Sequence, residues 1–255
     1  TITYVGKRAN TSRQKKARKL LNENKNIFKI VEDEFSVEKE ILLALWGIET
    51  NFGKHVGKMD IVSSLATLSY DKRRRDFFSS QLLILLKLVD KKLIDQDELF
   101  GSWAGAYGNF QFMPSTIKNY AIDYNGDDKI ELKSSLEDSL ASAANYINKI
   151  GWNYSEPCFY RVKLNKKINK KYFNTSARNI KNKLYISKWS KMGLEHYNGD
   201  ILNSKLKAAL ILPDNNDSSP TYLVFENYEK ILKWNRSLRF GLAVCTLKNE
   251  IKNAL

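Results

Sequence analysis

Cysteine and histidine are scarce in this chain. Its 255 residues hold two of each, Cys158 and Cys245, His55 and His196. So few cannot form a CxxC zinc knuckle, a disulfide framework or a His-rich metal site, so any bound metal must rely on oxygen ligands. Long apolar runs are missing as well. The longest, at 82–89, contains Lys87 and falls far short of the roughly 20 residues that a membrane-spanning helix needs, so the chain is expected to be soluble. Proline (4) and glycine (12) are few, while 43% of residues are hydrophobic and 12% aromatic. That balance excludes a collagen-like or disordered chain and supports a sizeable core. The sequence starts at Thr1, with no charged, apolar and small-residue succession typical of a secretory leader. Either a targeting segment has been removed or the chain has been trimmed, so the compartment is not directly readable.

Charge of one sign dominates. Lys and Arg number 42 against 28 Asp and Glu, a formal net charge of +14. Much of the excess lies at 161–191, which contains Arg161, Lys163, Lys166, Lys167, Lys170, Lys171, Arg178, Lys181, Lys183, Lys188 and Lys191 and no acid. Such a run suits a polyanion partner, but a general Lys/Asn bias would produce the same pattern.

Hydrophobic periodicity divides the chain into three stretches. Helical spacing runs through Ile27, Ile30 and Val31; Ile41, Leu42, Leu45 and Ile48; Phe78, Leu82, Leu85 and Leu88; and Leu136, Leu140, Ala144 and Ile147. After Trp152 the pattern alternates at 158–164, and two short apolar runs, 208–212 and 221–225, flank Pro213 and a turn-rich stretch. Helical spacing resumes in the tail with Ile231, Leu232, Trp234 and Leu238, then Val244, Leu247 and Ile251. The expectation is a mainly α protein of the α+β kind: a helical region at 1–152, a small antiparallel β insertion at 153–225, and C-terminal helices at 226–255 that return to the core.

Three segments carry chemistry. The first, from Ser36 to Gly53, reads as a helix with an N-cap serine, a first-turn Glu38 and a glycine suited to its C-terminal cap. Glu49 lies in line with Leu42 and Leu45, so its carboxylate shares the apolar face. Burial and the negative end of the helix dipole would both raise its pKa, which suits a general acid. A surface Glu at the edge of the stripe is the alternative. The second segment, 101–116, interleaves small residues with Trp103, Tyr107, Phe110, Ser102 and Gln111 before Pro114, which suits the first turn of a helix. It fits a sugar- or peptide-binding loop and equally a tight connection packed by its own aromatics. In the third, Asp123, Asn125 and Asp127 stand at positions 1, 3 and 5 of an EF-hand-like loop, but Asp128 replaces the glycine at 6 and Ser134 the glutamate at 12. A calcium loop and a solvated acidic turn both remain open.

Several motifs now stand in order: Trp46-Gly-Ile-Glu-Thr-Asn-Phe-Gly53, Leu65-Ala-Thr-Leu-Ser69, Gly101-Ser-Trp-Ala-Gly-Ala-Tyr-Gly108, Gln111-Phe-Met-Pro-Ser115, Ala144-Asn-Tyr146 and Trp234-Asn-Arg-Ser237. Together they resemble the lytic murein transglycosylase B family, over about 30–152 and again over 221–247. The resemblance implies a lysozyme-like helical core with added helices. It also implies cleavage of the MurNAc–GlcNAc bond of peptidoglycan, with Glu49 as the single acid and base. Ser102, Gln111, Arg73, Arg74, Tyr146 and Asn235 match the family's substrate-contacting positions. Phe110 and Phe240 depart from it, standing where a small residue and a tyrosine are usual. The acidic loop matches a family calcium site, with Asp123, Asn125, Asp127, Lys129 and, across one inserted residue, Asp138 or Glu137 as ligands. Catalysis is expected to need no cofactor, calcium being structural only. The partners expected are peptidoglycan glycan strands and not nucleic acid. The implied protein is a periplasmic monomer, which a lipid anchor on a removed N-terminus would tether to the outer membrane.

Overall fold

The computed structural model describes residues 1–199, 204–216 and 219–253. It forms two compact units, a helical unit of Lys15–Lys149 and a sheet unit of Thr1–Gln14 with Ile150–Leu255. The sequence reading divides the chain at 152 and 225 instead, and here the tail helices group with the sheet.

Two helices lead the chain, α1 (Ile2–Arg8) and α2 (Thr11–Glu23). The helical unit continues with α3 (Lys25–Phe35), α4 (Lys39–Thr50), α5 (Ile61–Leu68), α6 (Arg75–Asp90), α7 (Pro114–Tyr120) and α8 (Leu136–Lys149). A two-residue ladder, β1 (Met59–Asp60) with β2 (Phe100–Gly101), joins two of its loops antiparallel. Helix α3 packs on α8, α5 on α6, and α6 on α7. Pro114 opens α7 as its fixed φ and missing N–H allow.

Helix α4 departs from the sequence reading at both ends. Ser36 is not its N-cap: with φ of 52° it closes α3 in a left-handed conformation, whereas a cap needs extended backbone, which Glu38 supplies at φ −61° and ψ 135°. At the other end Asn51, Phe52 and Gly53 are all left-handed, at φ 54°, 59° and 77°. The helix is also not one-sided. Every residue of α4 except Lys39 and Glu49 is buried, as an apolar-all-round helix at the centre of a unit must be.

In the sheet unit, β3 (Phe159–Leu164), β4 (Phe173–Asn174), β5 (Leu184–Tyr185), β6 (Leu194–His196), β7 (Lys207–Ile211) and β8 (Thr221–Val224) form a sheet of order β4-β7-β8-β3-β6, with β5 also on β7. All pairings are antiparallel except that of β4 with β7. Strands β7 and β8 are buried almost throughout, covered by Ile168, Ile186 and Trp189; the last two lie on the short helix α9 (Ile186–Lys191). The chain ends in α10 (Glu226–Trp234) and α11 (Leu238–Lys252), the latter packed on α1.

Glycine is required where the helical unit's ladder begins. A Cβ at Gly57, whose φ is +94°, would stand 2.0 Å from the Gly101 carbonyl oxygen. At Gly6, inside α1, a Cβ meets nothing within 4 Å. Gly57→Ala is therefore expected to lose on the order of 2–4 kcal/mol in urea unfolding, while Gly6→Ala is neutral or gains up to about 1 kcal/mol. Equal effects at the two positions would contradict the assigned backbone.

Candidate active site

The C-terminal turn of α4 is where this buried helix meets solvent. Glu49 is half-buried there while its neighbours Ile48 and Thr50 are covered. What fixes this turn is a buried amide. Asn109 accepts at Oδ1 from Trp46 Nε1 (3.0 Å) and donates from Nδ2 to the Lys133 carbonyl and Ser139 Oγ (both 3.2 Å). Its own carbonyl accepts from Thr50 Oγ1 (2.8 Å), and its backbone N–H donates to the Leu132 carbonyl (2.7 Å). Thr50 Oγ1 also accepts from Gly53 N–H (3.0 Å), which closes the left-handed turn. Two non-glycine residues in that conformation cost about 1–2 kcal/mol each unless surroundings hold them. Lys16 supplies part of the hold, donating to the Asn51 carbonyl (3.1 Å) with its ammonium 5.2 Å from the Phe52 ring centre. Neither Asn109 nor the role of Thr50 was marked by any sequence period. The only signal was a polar residue between glycine and aromatics, beside a tryptophan whose N–H needs an acceptor once buried.

The loop after β2 is bonded to the same turn. Gln111, left-handed at φ 52°, donates from Nε2 to the carbonyls of Val56 (3.0 Å) and Gly108 (3.1 Å). Ser102 Oγ accepts from the N–H groups of Ala104 (3.3 Å) and Ala106 (3.0 Å), so its hydroxyl hydrogen stays available to an outside acceptor. Phe110 is buried and stacks on Trp46 at 6.5 Å. Phe112 meets Tyr146 edge-on at 6.0 Å, and Tyr146 stacks on Tyr120 at 4.5 Å. Burial, then the neighbouring Tyr120, pushes the Tyr146 hydroxyl above its ordinary pKa. Glu49, Ser102, Gln111 and Tyr146 are thus all half-buried on one connected scaffold, and exposed Trp103 projects from the same loop.

Other expected site residues have contacts of their own. Arg73 pairs with Asp71 at 3.0 Å, and the Arg74 guanidinium lies over Phe77 and Phe78, all ahead of or at the start of α6. Asn235 belongs to the sheet unit, where it is exposed and caps the end of α10. Three acids that follow α4 are on the surface. Asp60 accepts from Ser63 N–H (2.6 Å) as the cap of α5, a bond that holds its carboxyl below the usual range; Asp71 is held down likewise by Arg73, and Asp76 is exposed.

The acidic loop is organised by its own amides. Asp123 accepts from the N–H groups of Gly126, Asp127 and Asp128, and Asp127 accepts from that of Lys129. Asp138, fully buried at the start of α8, accepts from the N–H groups of Tyr124, Asn125 and Glu131. Among the described residues no three acidic, histidine or cysteine side chains converge as a metal cluster. A carboxylate offers about four lone-pair sites, so these bonds leave capacity for a hard cation on Asp123, Asp127 and Asp138. In kind, if not yet in cluster, the donors fit calcium.

The profile of the transglycosylase SLT domain matches residues 1–249. The chain belongs to this transglycosylase family. It is 32% identical over 222 residues to membrane-bound lytic murein transglycosylase B of Escherichia coli K12, a match that covers 85% of this chain and 58% of that protein. Its structure is similar to that of SltB3 from Pseudomonas aeruginosa, solved in complex with NAG-anhNAM-pentapeptide and with NAG-NAM-pentapeptide; TM-score is 0.90 and identity 33%, over 98% of this chain and 66% of that one. It is also similar to the Escherichia coli lytic transglycosylase Slt35 in complex with calcium, with TM-score 0.83 and 28% identity over 99% of this chain and 78% of that one. The lysozyme-like, mainly helical fold expected from the motifs is the fold found. The chain spans less than two thirds of the length of the first two relatives.

In this transglycosylase domain the Asn109 amide is predicted to be worth far more than an average side-chain bond. Asn109→Ala strands Trp46 Nε1 and Ser139 Oγ in a buried interior, which should cost roughly 2–4 kcal/mol in denaturant unfolding. A loss below about 0.5 kcal/mol, the level of an ordinary surface change, would refute the junction.

Proposed function

We propose that this chain is a peptidoglycan lytic transglycosylase that cleaves the MurNAc–GlcNAc β-1,4 bond without water, with Glu49 serving first as acid and then as base. The observation that carries the reading is the single carboxylate at the solvent end of an otherwise buried helix, on a turn fixed from behind by Asn109 and Thr50. The fragments bound by SltB3, one of them an anhydro-muramyl product, support the same substrate class here.

The chemistry balances with one acid. Glu49 gives its proton to the glycosidic oxygen as the bond to C1 of the muramyl residue breaks. As carboxylate it then takes the proton of that residue's C6 hydroxyl while the C6 oxygen bonds to C1. The acid is restored, and the product ends in 1,6-anhydro-MurNAc. Hydrolysing glycosidases commonly need a second carboxylate to activate water or attack C1. Here Asp60 and Asp71 are engaged in a helix cap and an ion pair, and Asp76 is exposed.

Ser102, Gln111 and Tyr146 suit contacts with glycan hydroxyls and sugar faces beside Glu49, and Arg73, Arg74 and Asn235 are assigned to glycan binding by motif position. The protein acts as a monomer on the wall in the periplasm. Among the described residues no helix is long and apolar enough to cross a membrane. Asp123, Asn125, Asp127, the Lys129 carbonyl and Asp138 would hold one calcium ion that stabilises the loop; no step of the chemistry runs through it.

Glu49→Gln keeps size and hydrogen bonding but has no proton to deliver. Release of fragments from purified sacculi should fall by at least about 10²- to 10⁴-fold with an unchanged circular dichroism spectrum. Near-native release by the folded variant would remove Glu49 from the mechanism. For the acidic loop, chelation should lower the melting temperature by several degrees and calcium should restore it, since an ion bound only to the folded state stabilises it by mass action. A transition that moves in neither step would make the loop a metal-free turn.

A further inference from the structure

The basic segment 161–191 has no role in the chemistry proposed for Glu49. Nine of its eleven cations are lysine, and all but Arg161 are exposed. A bias toward Lys and Asn does not account for it, because its asparagines shape the chain that carries the lysines. Asn169 accepts from Lys171 N–H (3.0 Å), and Asn182 donates to the Lys171 carbonyl (2.7 Å). Asn174 accepts from Lys181 N–H (2.8 Å) and donates to the carbonyls of Lys181 and Leu210 (both 3.0 Å).

Two grooves gather part of this charge on the sheet unit. The first, of about 380 Å³, opens where β3 ends and β8 begins, and Lys166, Lys167 and Lys170 line it together with Leu164, Phe173 and Leu212. The second, of about 420 Å³, shares Leu164 and Thr221 with the first and adds Arg161, Lys163, Ile2 and Tyr197. Among the described residues no acid lines either groove. Lys163 pairs with Glu195 at 3.5 Å, whereas Lys166, Lys167 and Lys170 have no acidic partner among the described residues. The Lys166 stem lies on Gly193, where a Cβ would stand 2.9 Å from its Cγ. The Arg161 guanidinium lies 3.7 Å from the Tyr197 ring centre, and its Nε is buried with no hydrogen-bond partner among the described residues. Ile2, 60% exposed, and Tyr197, 55% exposed, set apolar surface beside these cations.

We propose that this face of the sheet unit docks on a membrane surface rich in anionic phospholipid. Its cations meet the lipid phosphates, while Ile2, Leu164 and Tyr197 enter the layer beneath the headgroups. Lysine is a compact, strongly hydrated charge that suits a diffuse field of phosphates, whereas bidentate readout of carboxylates or bases calls for arginine. Single-stranded nucleic acid needs open aromatic faces on which bases stack. In these grooves Tyr197 has one face covered by Arg161, and Phe173 is half-buried. Apolar residues set among cations offer nothing to a wholly water-soluble polyanion, but they match the boundary between headgroup and acyl chain.

The test is sedimentation of the whole chain with vesicles of equal parts phosphatidylglycerol and phosphatidylcholine, compared with vesicles of phosphatidylcholine alone. Binding is expected to the former only, and it should weaken as sodium chloride rises, because exposed charges are screened. Each basic residue near a charged surface is worth about fivefold in affinity, so replacing Lys166, Lys167 and Lys170 together by Gln should weaken binding by at least about tenfold. The same loss of charge at Lys15, Lys25 and Lys92, exposed in the helical unit, should change it by less than about twofold. Ile2→Ser alone should weaken it severalfold. Equal binding to both vesicles, equal losses in the two triple variants, or unchanged binding by Ile2→Ser would overturn the proposal. So would displacement from the vesicles by single-stranded DNA at equal phosphate concentration, which would make the face a nucleic-acid surface. If a variant fails to fold by circular dichroism, the lipid and salt dependence of the wild-type chain and the DNA competition decide. None of these readings involves glycan cleavage, so the outcome is independent of the role proposed for Glu49.

Discussion

Asn109 is the point on which the helical unit's site depends. One side chain and its peptide group bind α4 at Trp46 and Thr50, the segment ahead of α8 at Leu132 and Lys133, and α8 itself at Ser139. The bonds to Trp46, Thr50 and Ser139 are buried, where a neutral hydrogen bond gains strength and an unmade one is costly. An apolar residue of similar size would fill the space but leave the α4 terminus free to continue as helix or to fray. The amide instead fixes where the helix stops, and with it the direction in which Glu49 leaves the scaffold.

That arrangement concentrates irregular backbone around one carboxylate. Asn51 and Phe52 follow Glu49 in left-handed conformations, and Gln111, whose amide ties the facing loop to Val56, adopts one as well. Such residues persist where the surroundings over-determine them, and they gather at sites that need a fixed geometry. Phe110, where the motif resemblance implies a small residue, is buried and stacks on Trp46. The departure is thus absorbed in packing.

Much of the scaffold was legible from hydrophobic period alone. The four helical patterns correspond to α3, α4, α6 and α8, and the alternation at 158–164 with the two apolar runs corresponds to β3, β7 and β8. The errors have physical causes. Ile30 continues an apolar spacing but is 52% exposed, because α3 needs only a narrow stripe against α8. The ends of α4 were misplaced because serine and glycine serve either side of a helix boundary, and only φ shows which. The segment 161–191 read as charge, yet Ile168, Ile186 and Trp189 within it cover the sheet; isolated apolar residues in a two-residue strand or single-turn helix carry no period. Glu49 was legible as a carboxylate in line with leucines. Its position at the solvent-facing end of a helix buried on nearly every side was not, since that depends on what packs around α4.

In the proposed chemistry a single acid, held on a fixed helix terminus, lets the glycan's own C6 hydroxyl take the place of water. The most direct measurement is mass spectrometry of the muropeptides released from sacculi in oxygen-labelled water. The expected products have 1,6-anhydro-MurNAc ends, one water lighter than hydrolysis products and free of label. Reducing-end MurNAc carrying the label would contradict it, since water would then be the nucleophile and a second group would have to activate it.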